Sequence, residues 1–107
     1  LLKNCNIVFL DKIEKGSILI ENDIIKEINP KIINTNEETA KSHVAPGFID
    51  VHIHGASGYD TMDGTFEAIN EISKTICKFG TTSFTPTTMT MSASDILKSM
   101  SAIKKAK

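Results

Sequence analysis

The order of apolar patterns along this chain predicts an α/β protein: a block of β structure first, then strand, helix, strand, helix. Three observations carry that reading. Residues 5–29 alternate short runs rich in Ile and Leu with polar turn residues, as successive strands do. Residues 65–79 place Phe66, Ile69, Ile72, Ile76 and Phe79 at three- and four-residue steps, the period of one helix face. Two β-prone runs, 48–53 and 81–85, flank that helix, which is the pattern of parallel α/β architecture. No internal repeat or low-complexity segment competes with it.

Composition sets the bounds. At 107 residues the chain suits one ordinary domain with a modest core. Its 12 cationic residues are all Lys and face 13 acidic ones, for a net charge of −1, so no basic patch advertises nucleic acid or a membrane surface. No apolar run approaches the ~20 residues of a membrane span, and no signal-peptide pattern opens the chain. Cys5 and Cys77 follow no ligand spacing and are expected as two buried free thiols in a reducing, cytoplasmic setting. The chain does not begin with Met, which fits a processed start.

The first 45 residues read as strands at 5–10, 17–21 and 24–29, with 12–15 as a polar connection. Asn22-Asp23 is a hairpin turn, because both residue types tolerate positive φ. Pro30 ends the third strand, since it has no N–H for the ladder. Residues 31–42 are polar and lack a clean period, so they read as a connecting loop with at most a short strand at Ile32-Ile33. His43 lies nine residues before His52, across the Pro46-Gly47 turn, and is expected as a packed or surface residue.

The chain is organised around Pro46-Gly47-Phe48-Ile49-Asp50-Val51-His52-Ile53-His54-Gly55. After the Pro-Gly turn, residues 48–53 are expected as a buried strand. Alternation puts Ile49, Val51 and Ile53 on one side and Asp50, His52 and His54 on the other. His52 and His54 are then roughly 6.6–7 Å apart along the strand, near enough for their rings to converge on one ion beyond its end. Asp50 shares their face and is a candidate outer acceptor that orients a ligating imidazole. Gly55 is expected to turn the backbone away without crowding the ion. The plainer alternative is two solvated imidazoles on an exposed strand.

Residues 56–64 form a loop that holds Tyr59, Asp60 and Asp63. Tyr59 and Asp60 are candidates for shaping a pocket, with a simple turn role for Asp60 as the alternative, while Asp63 or Thr65 caps the next helix. Gly80 stops that helix, and its aromatic pair is expected in the core. Strand 81–85 ends at Pro86, and residues 87–90 form a second loop on the side of the histidines. Ser92 with Asp95 resembles a capping box. The helix that follows is expected to bury Ile96, Leu97, Met100 and Ile103, with Lys104, Lys105 and Lys107 at its C-terminal end.

The segments PGFIDVHIHG, GYDTMDGT and GTTSFTPTTMT together resemble the amidohydrolase superfamily, and within it the N-acetylglucosamine-6-phosphate deacetylases. The likeness runs from about Ile7 onward and is sharpest over residues 46–90. Thr85 stands where that family more often has a large aliphatic residue. The resemblance implies part of a β-sandwich over residues 1–45 and, over 46–107, the first two βα units of a metal-dependent (β/α)₈ TIM barrel. Such a barrel needs about 250 residues, so the chain is expected to be the N-terminal portion of a longer enzyme.

For the full-length enzyme the resemblance implies hydrolysis of the N-acetyl group of N-acetylglucosamine-6-phosphate to glucosamine-6-phosphate and acetate, in amino sugar catabolism. It implies one or two divalent ions, Zn or Fe, with His52 and His54 as ligands and the catalytic Asp beyond Lys107. It also implies a homodimer whose partner is a small amino sugar phosphate rather than nucleic acid or membrane. Dihydroorotase-like relatives carry an Arg soon after the His pair to clamp a carboxylate, and Gly55-Ala56-Ser57-Gly58 follows here instead. The alternatives are another amidohydrolase, a cyclic amidase or deaminase, or a non-catalytic remnant serving as a binding or folding module. The 107 residues alone are expected to be inactive.

Overall fold

The structure is a computed structural model and describes residues 1–29 and 43–107. The expectations for Pro30 and for the 31–42 loop, including Ile32-Ile33, lie outside the described residues. The chain divides into two compact units, Leu1–Pro46 and Gly47–Lys107.

The described residues of the first unit form a four-stranded sheet, built from β1 (Leu2–Val8), β2 (Ile13–Glu21), β3 (Ile24–Ile28) and β4 (His43–Val44), in the order β3-β2-β1-β4. The first three strands form an antiparallel meander, and β4 pairs parallel with β1. Asn22 and Asp23 have φ of 51° and 61°, the left-handed pair that a two-residue hairpin turn requires. Strand β2 begins at Ile13, so most of the expected polar connection is ladder. Phe9 N–H donates to Lys12 O at 2.8 Å, which closes the turn in four residues. Cys5, Ile7 and Ile18 are the buried core of this sheet, with Leu2, Phe9 and Val44 packed around them.

Asn29 fastens the end of this meander. Its N–H donates to Ser17 O at 2.7 Å, and its side-chain Oδ1 accepts from Ser17 N–H at 3.1 Å. That oxygen occupies the space where a Cβ on Gly16 would stand. Glycine at 16 therefore makes room for the Asn29 side chain, a steric role rather than a turn.

The second unit contains β5 (Phe48–Ile53), β6 (Gly55–Ala56), β7 (Tyr59–Asp60), a single 3₁₀ turn at Thr61–Asp63, α1 (Phe66–Cys77), β8 (Thr81–Pro86) and α2 (Ala93–Ala106). Strands β5 and β8 pair in parallel and α1 connects them, as the element order predicts. Thr65 is the N-cap of α1, accepting from Ala68 N–H at 3.1 Å, and Gly80 at φ 89° follows its end. Ser92 caps α2 by accepting from Asp95 N–H at 3.2 Å.

Burial departs from the sequence expectation at several places. Strand β5 is not a buried strand in this chain: Phe48, Ile49 and Val51 are 70–75% exposed. Among the described residues its sheet has two strands. Helix α1 buries Ala68, Ile69, Ile72 and Ile76, whereas Phe66 and Phe79 at its ends are exposed and are not core. Helix α2 turns Ser99 and Ala102 inward and leaves Leu97 and Met100 outside. Small residues let α2 approach α1 and the 3₁₀ turn closely, Ile96 and Ile103 are half-buried beside them, and Leu97 and Met100 fall on the outer flank. Both cysteines are free, but Cys77 is exposed, not buried. Among the described residues, no helix is long and apolar enough to cross a membrane.

Candidate metal centre

Alternation along β5 brings the two histidines to the same side at its C-terminal end. Their rings meet edge to face, with centroids 5.0 Å apart and an interplanar angle of 84°. The Nε2 atoms approach to 3.2 Å. Two nitrogens bound to one tetrahedral ion at about 2.0–2.1 Å would stand about 3.3–3.4 Å apart. The pair thus already has the bite of two ligands on one ion.

The rings differ in how they are held. His54 Nδ1 lies 3.0 Å from the carbonyl oxygen of Thr87. A carbonyl only accepts, so Nδ1 carries the proton and the neutral ring presents a bare Nε2. His52 Nε2–H then donates to His54 Nε2. For both rings to offer lone pairs to a cation, His52 must move its proton to Nδ1, while His54 is already in the ligating tautomer.

Three backbone contacts fix the end of β5. Thr87 N–H donates to Ile53 O at 2.8 Å, so the residue after β8 grips β5 from one side. Thr61 N–H donates to His54 O at 2.7 Å from the other. The third is Gly55, where a Cβ would run into the carbonyl of Tyr59. Gly55 therefore serves the close return of the β6–β7 hairpin.

The carboxylates near the histidines are engaged with backbone. Asp50 Oδ1 accepts from His52 N–H at 3.1 Å, so it steadies the His52 main chain, and the acceptor for an imidazole is the Thr87 carbonyl. Asp60 Oδ1 accepts from Met62 N–H at 2.7 Å, and Asp63 Oδ2 accepts from Asp60 N–H at 2.9 Å, a reciprocal capping of the 3₁₀ turn. Asp60 thus takes the turn role, and the capping of α1 falls to Thr65. The loop expected at 56–64 is ordered as hairpin β6–β7 and this turn, with Tyr59 37% exposed on β7. His43 sits on β4, exposed and paired with Asn6. Among the described residues, no three His, Cys, Asp or Glu side chains gather about one point. Thr87 was legible only as a loop hydroxyl, because a main-chain carbonyl leaves no trace in residue type.

The chain resembles known proteins in sequence. The chain is 35% identical to an N-acetylglucosamine-6-phosphate deacetylase of Bacillus subtilis, over 101 aligned residues that cover 78% of this chain and 26% of that protein. It is 42% identical to the N-acetylglucosamine-6-phosphate deacetylase of Lysinibacillus sphaericus over 69 residues, 64% of this chain and 18% of the other. An adenine deaminase of Clostridium acetobutylicum matches at 34% over 83 residues, 76% of this chain and 13% of its own length. No protein-family model matches. The chain thus spans about a quarter or less of the curated relatives it matches. Over the stretch it shares with them, it is a relative of the N-acetylglucosamine-6-phosphate deacetylases.

Proposed function

We propose that this chain supplies the first two ligands of a divalent-metal centre in a hydrolase that deacetylates N-acetylglucosamine-6-phosphate. The observation that carries the reading is the 3.2 Å approach of His52 and His54 Nε2 atoms at the end of a strand. The likeness to deacetylases of that name supports this substrate. A bound Zn²⁺ or Fe²⁺, both suited to imidazole, supplies Lewis-acid polarisation of the amide carbonyl and a more acidic water.

This chain's own part is to hold that ion's nitrogen ligands in register. His54 is pinned by Thr87, His52 leans on its Nε2, and Asp50 anchors the main chain between them. Two imidazoles alone bind a cation weakly, so further ligands and the proton-transferring carboxylate belong to residues other than these. In the same reading, residues 1–45 are part of a β-sandwich and 46–107 open a (β/α)₈ barrel. The parallel β5–β8 pair and the exposed apolar face of β5 are what such a barrel would complete.

The stretch after the histidines speaks against a carboxylate-bearing cyclic amide. Ser57 and Gly58 turn the β6–β7 hairpin, Ser57 Oγ accepts from Thr75 Oγ1 at 3.0 Å, and no Arg follows the His pair in this stretch. The test is acetate release from N-acetylglucosamine-6-phosphate by the protein as the cell makes it, beside adenine and dihydroorotate as competing substrates. His52→Ala and His54→Ala should each abolish the release and weaken zinc binding. Turnover of adenine or dihydroorotate without acetate release would overturn the substrate. Unchanged zinc affinity in both variants would overturn the site. The 107-residue chain by itself should release no acetate.

A further inference from the structure

The 3₁₀ turn at Thr61–Asp63 touches His54 from two directions, and only one of them is direct. Thr61 N–H holds the His54 carbonyl at 2.7 Å. One residue on, the Met62 thioether accepts from Met89 N–H at 3.4 Å, across 27 residues of sequence. Met89 lies in the loop after β8, two residues past the Thr87 carbonyl that takes the His54 Nδ1 proton. The sulfur is backed by Ser99, fully buried on α2, whose Oγ lies 3.7 Å from it. That hydroxyl already donates to Asp95 O at 3.0 Å, so the thioether remains the acceptor for Met89.

The turn that carries Met62 is itself stiff. Asp60 caps it, Gly64 closes it in the left-handed region at φ 62°, and Lys98 Nζ from α2 donates to Asp63 O at 2.9 Å. A short rigid turn therefore extends a sulfur to a loop whose other end orients a histidine. Thr87 N–H on Ile53 O fixes where that loop starts, and Met89 N–H on sulfur fixes where it heads.

We propose that Met62 is a positioning residue for His54: its thioether latches the 87–90 loop so that the Thr87 carbonyl keeps the imidazole as the Nδ1–H tautomer, with Nε2 bare toward His52. The proposal takes its purpose from the metal-centre reading, but the tautomer it concerns exists without metal. A thioether is a weak acceptor, so the latch is a matter of small factors, not of folding.

The experiment compares the chain with Met62→Leu, which keeps the volume and removes the acceptor. Long-range ¹⁵N–¹H correlations of the imidazoles, recorded without metal, report the His54 tautomer and the exchange of its Nδ1 proton. In Met62→Leu the Met89 amide and the His54 Nδ1 proton should exchange roughly two- to fivefold faster, and the Nδ1–H population should fall. Helical circular dichroism should be unchanged. Met89→Pro asks the same from the donor side, at a 49% exposed residue, and serves if Met62→Leu does not fold. Met62→Gln, which restores an acceptor, should recover the tautomer. A His54 tautomer and Nδ1 exchange rate identical to the unaltered chain in the folded variants would overturn the proposal. Zinc titration of the same samples addresses the metal reading separately, because the latch can be confirmed whether or not zinc binds.

Discussion

Thr61 is fully buried, yet its Oγ1 has no hydrogen-bond partner among the described residues. Its main chain is well used, since the N–H holds His54 O at 2.7 Å, so the cost is confined to the side chain. A buried hydroxyl without a partner costs about 1–3 kcal/mol relative to one left in water. Thr61→Val keeps the β-branched shape and replaces the hydroxyl with a methyl, so it should stabilise the Gly47–Lys107 unit by about 1 kcal/mol. For a domain of this size that corresponds to an increase in Tm of roughly 4–8 °C. Both described α-helices lie in this unit, so urea unfolding followed by helical circular dichroism reports mainly on it. The midpoint should rise with the slope unchanged. Thr61→Ser keeps the hydroxyl and removes the methyl, and should move the midpoint the other way. If Thr61→Val destabilises while Thr61→Ser does not, the hydroxyl has a partner and the reasoning fails.

Other expectations follow from single contacts. Val51→Thr should change stability in this chain by no more than about 0.5 kcal/mol, because Val51 is 75% exposed; a loss of 1.5 kcal/mol or more in the same urea titration would mean that this face is covered. Gly55→Ala drives a methyl into the Tyr59 carbonyl and should cost about 1–3 kcal/mol, read as a lower unfolding midpoint with loss of protection at the β6–β7 amides. Asn29→Ala removes the acceptor of the buried Ser17 amide and puts Ala at φ 56°, so it should cost about 1–2 kcal/mol, with faster exchange at Ser17 N–H as the local signature of the lost bond.

What sequence alone determined here is what a short stretch of backbone decides for itself. Asn22-Asp23 turns because both side chains tolerate the left-handed region, Thr65 begins a helix because its oxygen reaches Ala68 N–H, and the His52–His54 spacing puts two rings on one side of a strand. Each depends on contacts only a few residues away, so residue type and spacing suffice. The deacetylase likeness was legible for a similar reason, being carried by contiguous segments around that strand.

Only the tertiary structure decided what lies opposite each element. Period 3.6 makes Leu97 and Met100 as eligible for the core as Ser99 and Ala102, and the close approach of α2 to its neighbours chose the small pair. The partner of His54 is a carbonyl 33 residues away, a group every residue possesses and no composition reveals. Gly55 is required by the backbone of Tyr59, and Gly16 makes room for the Asn29 side chain, atoms that reach them only after folding. Local periodicity is a property of one segment, whereas burial, tautomer and steric exclusion are properties of two.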